Sequence, residues 1–399
     1  MTAVKVLLVT NFAAHYRAPF FERLAEAVDV EYVFTTSGTE QYWQAHLGTT
    51  DIAARGQTIV GRPLLGGLSF NPRLARALWR RDFDVMVKCI SGRTELAGAF
   101  AIAKARGKPF VFWTTIWWNP VTTFGSAALP LLRGVYRHAD AIVTDGDHIS
   151  RFVTGHGIDP GKIFTAELSV DNDIFTRKVS TADRVAARAS LGAEDRPLVL
   201  AVSRLVPVKG LDVLVRAAAR LSDLRPVLAV VGTGPLDAEL SALARDLGVD
   251  LRLLGARRPS EMPPLYAAAD VYTLPSVTTP QVREVWGLGV NEALCQRLPV
   301  VVSDAVGAAA GGLVVHGETG LVVPERDDLA LAAALRCIIT DPSLGDRLVT
   351  AGFERVKATN YDAMVASFVA AIRYAKAAHD GDVAGMEALR AERFRPRQS

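Results

Sequence analysis

Two carboxylates, Glu284 and Glu292, flank the seven residues VWGLGVN, in which Gly287 and Gly289 leave room for backbone to come close to a ligand. The run from Leu288 to Leu294 reads as a short helix whose first amides can face an anion. A carboxylate accepts two hydroxyl donors at once, the geometry that the vicinal diol of a ribose or a hexose offers. A ligand with diols at both ends and a diphosphate between them suits such a site. Two acids near a helix start are also what the helix macrodipole alone favours, so the pair needs company before it carries meaning.

That company lies upstream. An apolar strand, Pro197 to Ser203, runs into a turn with Arg204 and Lys209 before a helix from Leu211. A guanidinium fork and a point ammonium together suit a diphosphate. Gly232 and Gly234, in the GTGP that ends the next strand, mark either a second close backbone approach or a tight strand-to-helix turn. Downstream follow LPS at Leu274 to Ser276 and RLPVVVSDAVG from Arg297.

In this order the motifs resemble retaining glycosyltransferase family 4, which has the GT-B fold: two Rossmann-like, doubly wound α/β domains facing each other across a cleft. The resemblance covers most of the chain. It implies that Arg204 and Lys209 hold the donor diphosphate, that Glu284 contacts the transferred sugar and that Glu292, with Gly287 and Leu288 nearby, holds the nucleotide ribose. NFAAHYRAPFFERLAE from Asn11 is similar to the opening of a subgroup with an HYR-type first loop. VDNDIF at Val170 to Phe175 is similar to the segment that closes the first domain. The implied activity is a metal-independent transfer from a nucleotide diphosphate sugar, a UDP- or GDP-sugar, to a glycan, lipid-linked or small-molecule acceptor. No resident cofactor and no metal are expected.

The elements that must position these residues are legible as alternation. Val4 to Thr10 is a continuous apolar, β-branched run of the kind a buried parallel strand uses, and Arg17 to Val28 follows with helical spacing. Further strands are expected at 30–36, 84–90, 109–115, 141–145 and 162–168, with helices at 94–106 and 127–138. The pattern restarts with strands at 197–203, 226–232, 250–255, 271–274, 299–304 and 320–324 and helices at 211–221 and 236–247. Such alternation implies parallel sheets covered on both faces, with ligands at the carboxyl ends of the strands. The expected division is residues 1–176 as an acceptor-binding domain, 177–358 as a nucleotide-sugar-binding domain, and 359–399 as a helix returning to the first domain plus a tail.

A chain of 399 residues is too long for one ordinary core and fits two. No apolar run reaches the roughly 20 residues a membrane span needs, and no secretory signal is visible, so the expected location is cytoplasmic. The net charge of +3 is too mild for a dedicated nucleic-acid binder. Arg73, Arg76, Arg80 and Arg81, then Arg133, Arg137 and His138, place cations beside apolar helix faces. They read either as a solvated surface or as a peripheral contact with the anionic inner face of a membrane. Cys89, Cys295 and Cys337 lack metal or redox spacing and read as buried thiols; the oligomeric state has no sequence signal.

Several features depart from the family. The first loop lacks a Gly-Gly pair, Phe112 to Asn119 offers no histidine, and Arg297 stands where a glycine is common. His15 is the candidate to act in place of the missing histidine, with Arg17 as the alternative source of charge. Trp113 reads as core, and Trp117 or Trp118 as an acceptor wall. Asp145 and Asp147 have D-x-D spacing but open a helix and read as capping. A nucleotide-sugar epimerase of the GT-B fold and a non-catalytic sugar-nucleotide-binding protein are the alternatives; the absence of G-x-G-x-x-G after either first strand disfavours a dinucleotide oxidoreductase.

Overall fold

The computed structural model describes residues 4–12, 14–36, 56–63, 69–119 and 123–393. The chain forms two compact units, one of residues 1–167 with 361–399 and the other of residues 168–360.

The strands of the first unit are β1 (Lys5–Thr10), β2 (Asp29–Phe34), β3 (Gly56–Thr58), β4 (Arg62–Pro63), β5 (Ser69–Phe70), β6 (Val85–Cys89), β7 (Phe110–Thr114), β8 (Ala141–Thr144) and β9 (Ile163–Thr165). Seven of them form one parallel sheet in the order β3-β2-β1-β6-β7-β8-β9, and β4 pairs antiparallel with β5. Every residue of β6 and β7 is buried, which is why these strands read as nearly continuous apolar runs, broken in β6 by Lys88, and not as alternation. Strand order reverses between β1 and β6, the point at which doubly wound sheets open a ligand crevice at their carboxyl edge.

The helix Tyr361–Asp380 covers this sheet. Met364, Phe368, Ala371, Ile372 and Ala375 recur at helical spacing and are buried. The Phe368 ring lies 4.7 Å from Phe20 and 5.0 Å, edge-on, from Trp113. Tyr361 Oη donates to the Tyr16 carbonyl at 2.6 Å, tying this helix to the first loop.

The second unit contains β10 (Leu198–Val202), β11 (Val227–Val231), β12 (Asp250–Leu253), β13 (Val271–Leu274), β14 (Val300–Ser303) and β15 (Leu321–Val323). All six are parallel, in the order β12-β11-β10-β13-β14-β15, so the reversal falls between β10 and β13. Val199, Ala201, Leu214, Leu228 and Leu335 lie in the buried core of this unit.

All twelve expected strands are present, with ends within three residues of those expected: β9 stops three residues sooner, β2 begins one residue earlier and β13 has the expected bounds. The short strands β3, β4 and β5 carry no apolar run and gave no signal. The charged stretch after Ser180 is a helix, Thr181–Ser190, capped by the Ser180 side chain at 3.0 Å from the Asp183 amide. The tail past His379 also forms a helix, Val383–Arg393. Residues 168–176 pack within the second unit: Asn291 Nδ2 donates to the Leu168 carbonyl at 3.2 Å and Gln296 Nε2 to that of Phe175 at 2.5 Å. Cys89 and Cys295 are buried, but Cys337 is exposed, because its helix Asp328–Thr340 turns that side toward solvent.

Candidate active site

The loops after β10 and β13 meet at the switch point of the second sheet. Ser203 to Gly210 leaves β10, passes a short 3-10 turn at Pro207–Lys209 and enters the helix Leu211–Ala219 through Gly210 at φ +60°. A Cβ on Gly210 would sit 2.1 Å from the Pro275 carbonyl oxygen, so both the dihedral and the contact exclude a side chain. The Val277 amide donates to the Val208 carbonyl at 2.8 Å and locks the two loops together.

This lock brings Lys209 to Glu284. The ammonium donates to Glu284 Oε2, and both side chains are nearly enclosed, at 12% and 13% exposure. Ser276 Oγ donates to the same oxygen at 3.1 Å. The cation assigned to the diphosphate and the carboxylate assigned to the sugar are therefore partners in the free protein. Three N–H donors on the ammonium leave capacity for a phosphate beside Glu284. Arg204 is exposed, and among the described residues its side chain has no hydrogen-bond or ion-pair partner.

Glu292 lies one turn into the helix Leu288–Cys295, whose N-cap is Gly287 at φ +95°. A Cβ on Gly287 would meet Leu274 Cδ2 at 2.5 Å, and one on Gly289 would meet the Tyr272 hydroxyl at 2.4 Å. Glycine at both places lets this helix settle against β13. Tyr266 Oη donates to Glu292 Oε2 at 2.6 Å. Burial pushes the Glu292 carboxyl up to about 7, and the Tyr266 hydrogen bond acts in the opposite direction by favouring the ionised form.

Tyr272, fully buried on β13, links the halves of the site. Burial raises its hydroxyl well above the usual tyrosine value, and the negative charges of Glu292 and Glu284 both add to the rise. Its hydroxyl has no hydrogen-bond partner among the described residues. Tyr266 and Tyr272 were not legible in advance, and Ser276 was read only as part of the LPS motif; the one trace of the two tyrosines was aromatic residues interrupting the small and apolar runs PPLYAAAD and DVYTLPS.

Gly232 and Gly234 sit against the β10 loop. Added Cβ atoms would lie 2.0 Å from the Ser203 carbonyl oxygen and 2.3 Å from that of Leu205. Close packing of two loops thus accounts for both glycines. Arg297 is exposed and stacks its guanidinium 3.7 Å from the Phe353 ring centroid, from a backbone at φ +55°.

In the first unit His15 opens a 3-10 turn, His15–Arg17; its side chain lies outside the described residues. Asp145 does not cap the following helix. Gly146 is the N-cap of Asp147–Thr154, and Asp145 Oδ1 instead accepts from Trp113 Nε1 at 2.6 Å inside the core. Trp113 is fully buried, as its place in β7 requires. Trp117 packs edge-on against His148 at 4.8 Å, and Trp118 is half-buried with Nε1 enclosed. Among the described residues no group of three or more His, Cys, Asp or Glu side chains is placed to hold a metal ion.

Residues 13–168 match the Glycosyl transferase 4-like domain, and residues 183–355 match Glycosyl transferases group 1. The chain belongs to the family 4 type of GT-B glycosyltransferases. The structure of Anabaena Alr3699/HepE in complex with UDP and glucose has the same fold, with a TM-score of 0.74 and 18% identity over 92% of this chain and 98% of that one. A protein of Mycolicibacterium smegmatis described as a GDP-mannose-dependent alpha-(1-6)-phosphatidylinositol monomannoside mannosyltransferase is 37% identical over 46% of this chain. That alignment spans 48% of the relative, so the chain matches about half its length. A protein of the same description from Mycobacterium tuberculosis is 29% identical over 89% of this chain and 94% of its own length.

Proposed function

We propose that this GT-B chain is a retaining glycosyltransferase that moves a sugar from a UDP- or GDP-sugar to a glycan, lipid-linked or small-molecule acceptor, without a metal ion. The observation that carries the reading is the meeting of Lys209 with Glu284 at the switch point of one parallel sheet, with Glu292, in the helix that follows, acting on the same Tyr272 hydroxyl as Glu284, and with Arg204 in the loop that carries Lys209. Arg204 and Lys209 oppose the charge that develops on the leaving diphosphate, the service a divalent cation performs elsewhere. Glu292 accepts from the ribose diol, and Glu284, oriented by Lys209 and Ser276, accepts from the transferred sugar. The donor is assigned to the second unit and the acceptor to the first. Membership of the subgroup with an HYR-type loop rests on His15, Tyr16 and Arg17.

The descriptions of the relatives favour GDP-mannose as the first donor to try, and the UDP complex keeps UDP-sugars beside it. A thermal-shift screen of sugar nucleotides tests the reading. A donor that binds only the folded chain raises its melting temperature, by about 2.7 kcal/mol of added stability at a hundredfold excess over its dissociation constant. No shift with any UDP- or GDP-sugar counts against it. Transfer that needs an acceptor separates this reading from an epimerase or a non-catalytic binder.

A peripheral membrane contact has its own support. Among the described residues no helix is long and apolar enough to cross a membrane. The helix Pro72–Arg80 buries Leu74 and Leu78 and exposes Trp79, at 54%, together with Arg73, Arg76 and Arg80. An exposed indole among arginines suits an anionic lipid interface. Flotation with anionic vesicles, lost in Trp79→Ala and at high salt, is the expected result; equal flotation with neutral vesicles contradicts it.

A further inference from the structure

Two buried polar atoms at the carboxyl edge of the first sheet have no partner among the described residues: Arg17 Nε and Asp145 Oδ2. Arg17 ends the loop after β1, and Asp145 immediately follows β8. Trp113, on β7 between them, touches both. Its indole nitrogen fixes Asp145 Oδ1, and the Arg17 guanidinium lies 4.8 Å from its ring centroid. Asp145 is fully buried, so leaving Oδ2 bare carries a desolvation cost that a ligand hydroxyl removes.

Arg17 and Asp145 close no ion pair within 4 Å, although each acts electrostatically on the other. Their charges define what fits between them. An anion is opposed by Asp145, and a cation by Arg17. A neutral hydroxyl satisfies both, donating to Oδ2 and accepting from the guanidinium. Lys88, the neighbouring buried cation, is already committed to the Cys89 and Ser91 carbonyls, at 2.6 Å each.

We propose that Arg17 and Asp145 form a subsite for one ring hydroxyl of a neutral polyol, a sugar or cyclitol, on the acceptor. The proposal deepens the glycosyltransferase reading and rests on it. Asp145→Asn suits the test because the new amide oxygen can still accept from Trp113, while a donor replaces the acceptor Oδ2. Arg17→Gln removes the charge from a half-buried position and serves as the second variant.

The experiment uses the full chain, the sugar nucleotide that raises its melting temperature, and three acceptors: free myo-inositol, methyl α-mannoside, and phosphatidylinositol in phosphatidylcholine vesicles. Turnover of the free polyols identifies a soluble source of the hydroxyl, and turnover of the vesicles alone identifies a lipid headgroup. Each variant is expected to raise the acceptor KM at least tenfold while donor affinity and melting temperature stay within experimental scatter. Among singly deoxygenated acceptors, one should lose the same factor with the wild type and nothing further with Asp145→Asn, a coincidence that a purely structural role does not produce. An unchanged acceptor KM in both variants, or deoxy losses fully additive with Asp145→Asn, overturns the subsite. Donor cleavage by the wild type is the control: if it is absent with every acceptor, the glycosyltransferase reading itself fails.

Discussion

If Glu292 holds the donor ribose as a carboxylate, donor affinity must follow its ionisation. Burial places that carboxyl near 7, and it is surrounded by the hydroxyls of Tyr266 and Tyr272 and the thiol of Cys295. The ionised fraction then rises from about 9% at pH 6 to about 91% at pH 8, so donor affinity should strengthen about tenfold across that range, or about 1.4 kcal/mol. A sugar nucleotide is the right probe, because its diester diphosphate does not titrate there. Calorimetry at fixed ionic strength is the assay. Tyr266→Phe removes the hydrogen bond that lowers the Glu292 value, and the transition should move to higher pH. Glu292→Gln should flatten it. The sign for stability is the reverse. The folded chain keeps a proton that the unfolded chain releases between the ordinary value of 4.5 and about 7, so stability falls as pH rises through that window, by up to about 3 kcal/mol. Affinity independent of pH in the wild type, or a slope that survives in Glu292→Gln, would refute the ribose assignment.

Lys209→Met should lower kcat by about 2–4 kcal/mol of barrier in steady-state assays, and Lys209→Met and Glu284→Gln should both cost stability, because each leaves the partner's nearly enclosed charge unpaired. Unchanged turnover in both Lys209→Met and Arg204→Met removes the diphosphate assignment. Gly289→Ala should destabilise the fold by forcing a Cβ against the Tyr272 hydroxyl, and adding Tyr272→Phe should restore part of the loss; denaturant melts of the two singles and the double decide, with simple additivity counting against the contact. His15→Ala should lower kcat at saturating substrates with the melting temperature unchanged, and a rate within about threefold of wild type, under ~1 kcal/mol, returns His15 to a structural role.

The central strands were legible because they are buried on both faces and therefore almost wholly apolar, as β7 and β11 show, with Lys88 in β6 the exception. The four charged residues of the second unit were legible because turn glycines and fixed motif order accompany them. Their pairing was not. Lys209 meets Glu284 across a separation of 75 positions in the chain, and only the lock between Val208 and Val277 explains the meeting. Asp145 shows the converse limit. Its place before a helix start reads as a cap, yet the indole of Trp113, 32 residues away, takes its side chain into the core. Local spacing carries the elements; long-range side-chain partners come only from the packed sheet.

The most direct test of the proposed reaction is the anomeric configuration of the first product, followed by NMR as it forms in excess EDTA. The account predicts that the one-bond C1–H1 coupling of the transferred sugar stays in the range of the donor's anomer and that chelation leaves the rate unchanged. An inverted anomer, or activity lost to EDTA and restored by Mg²⁺ or Mn²⁺, would contradict it.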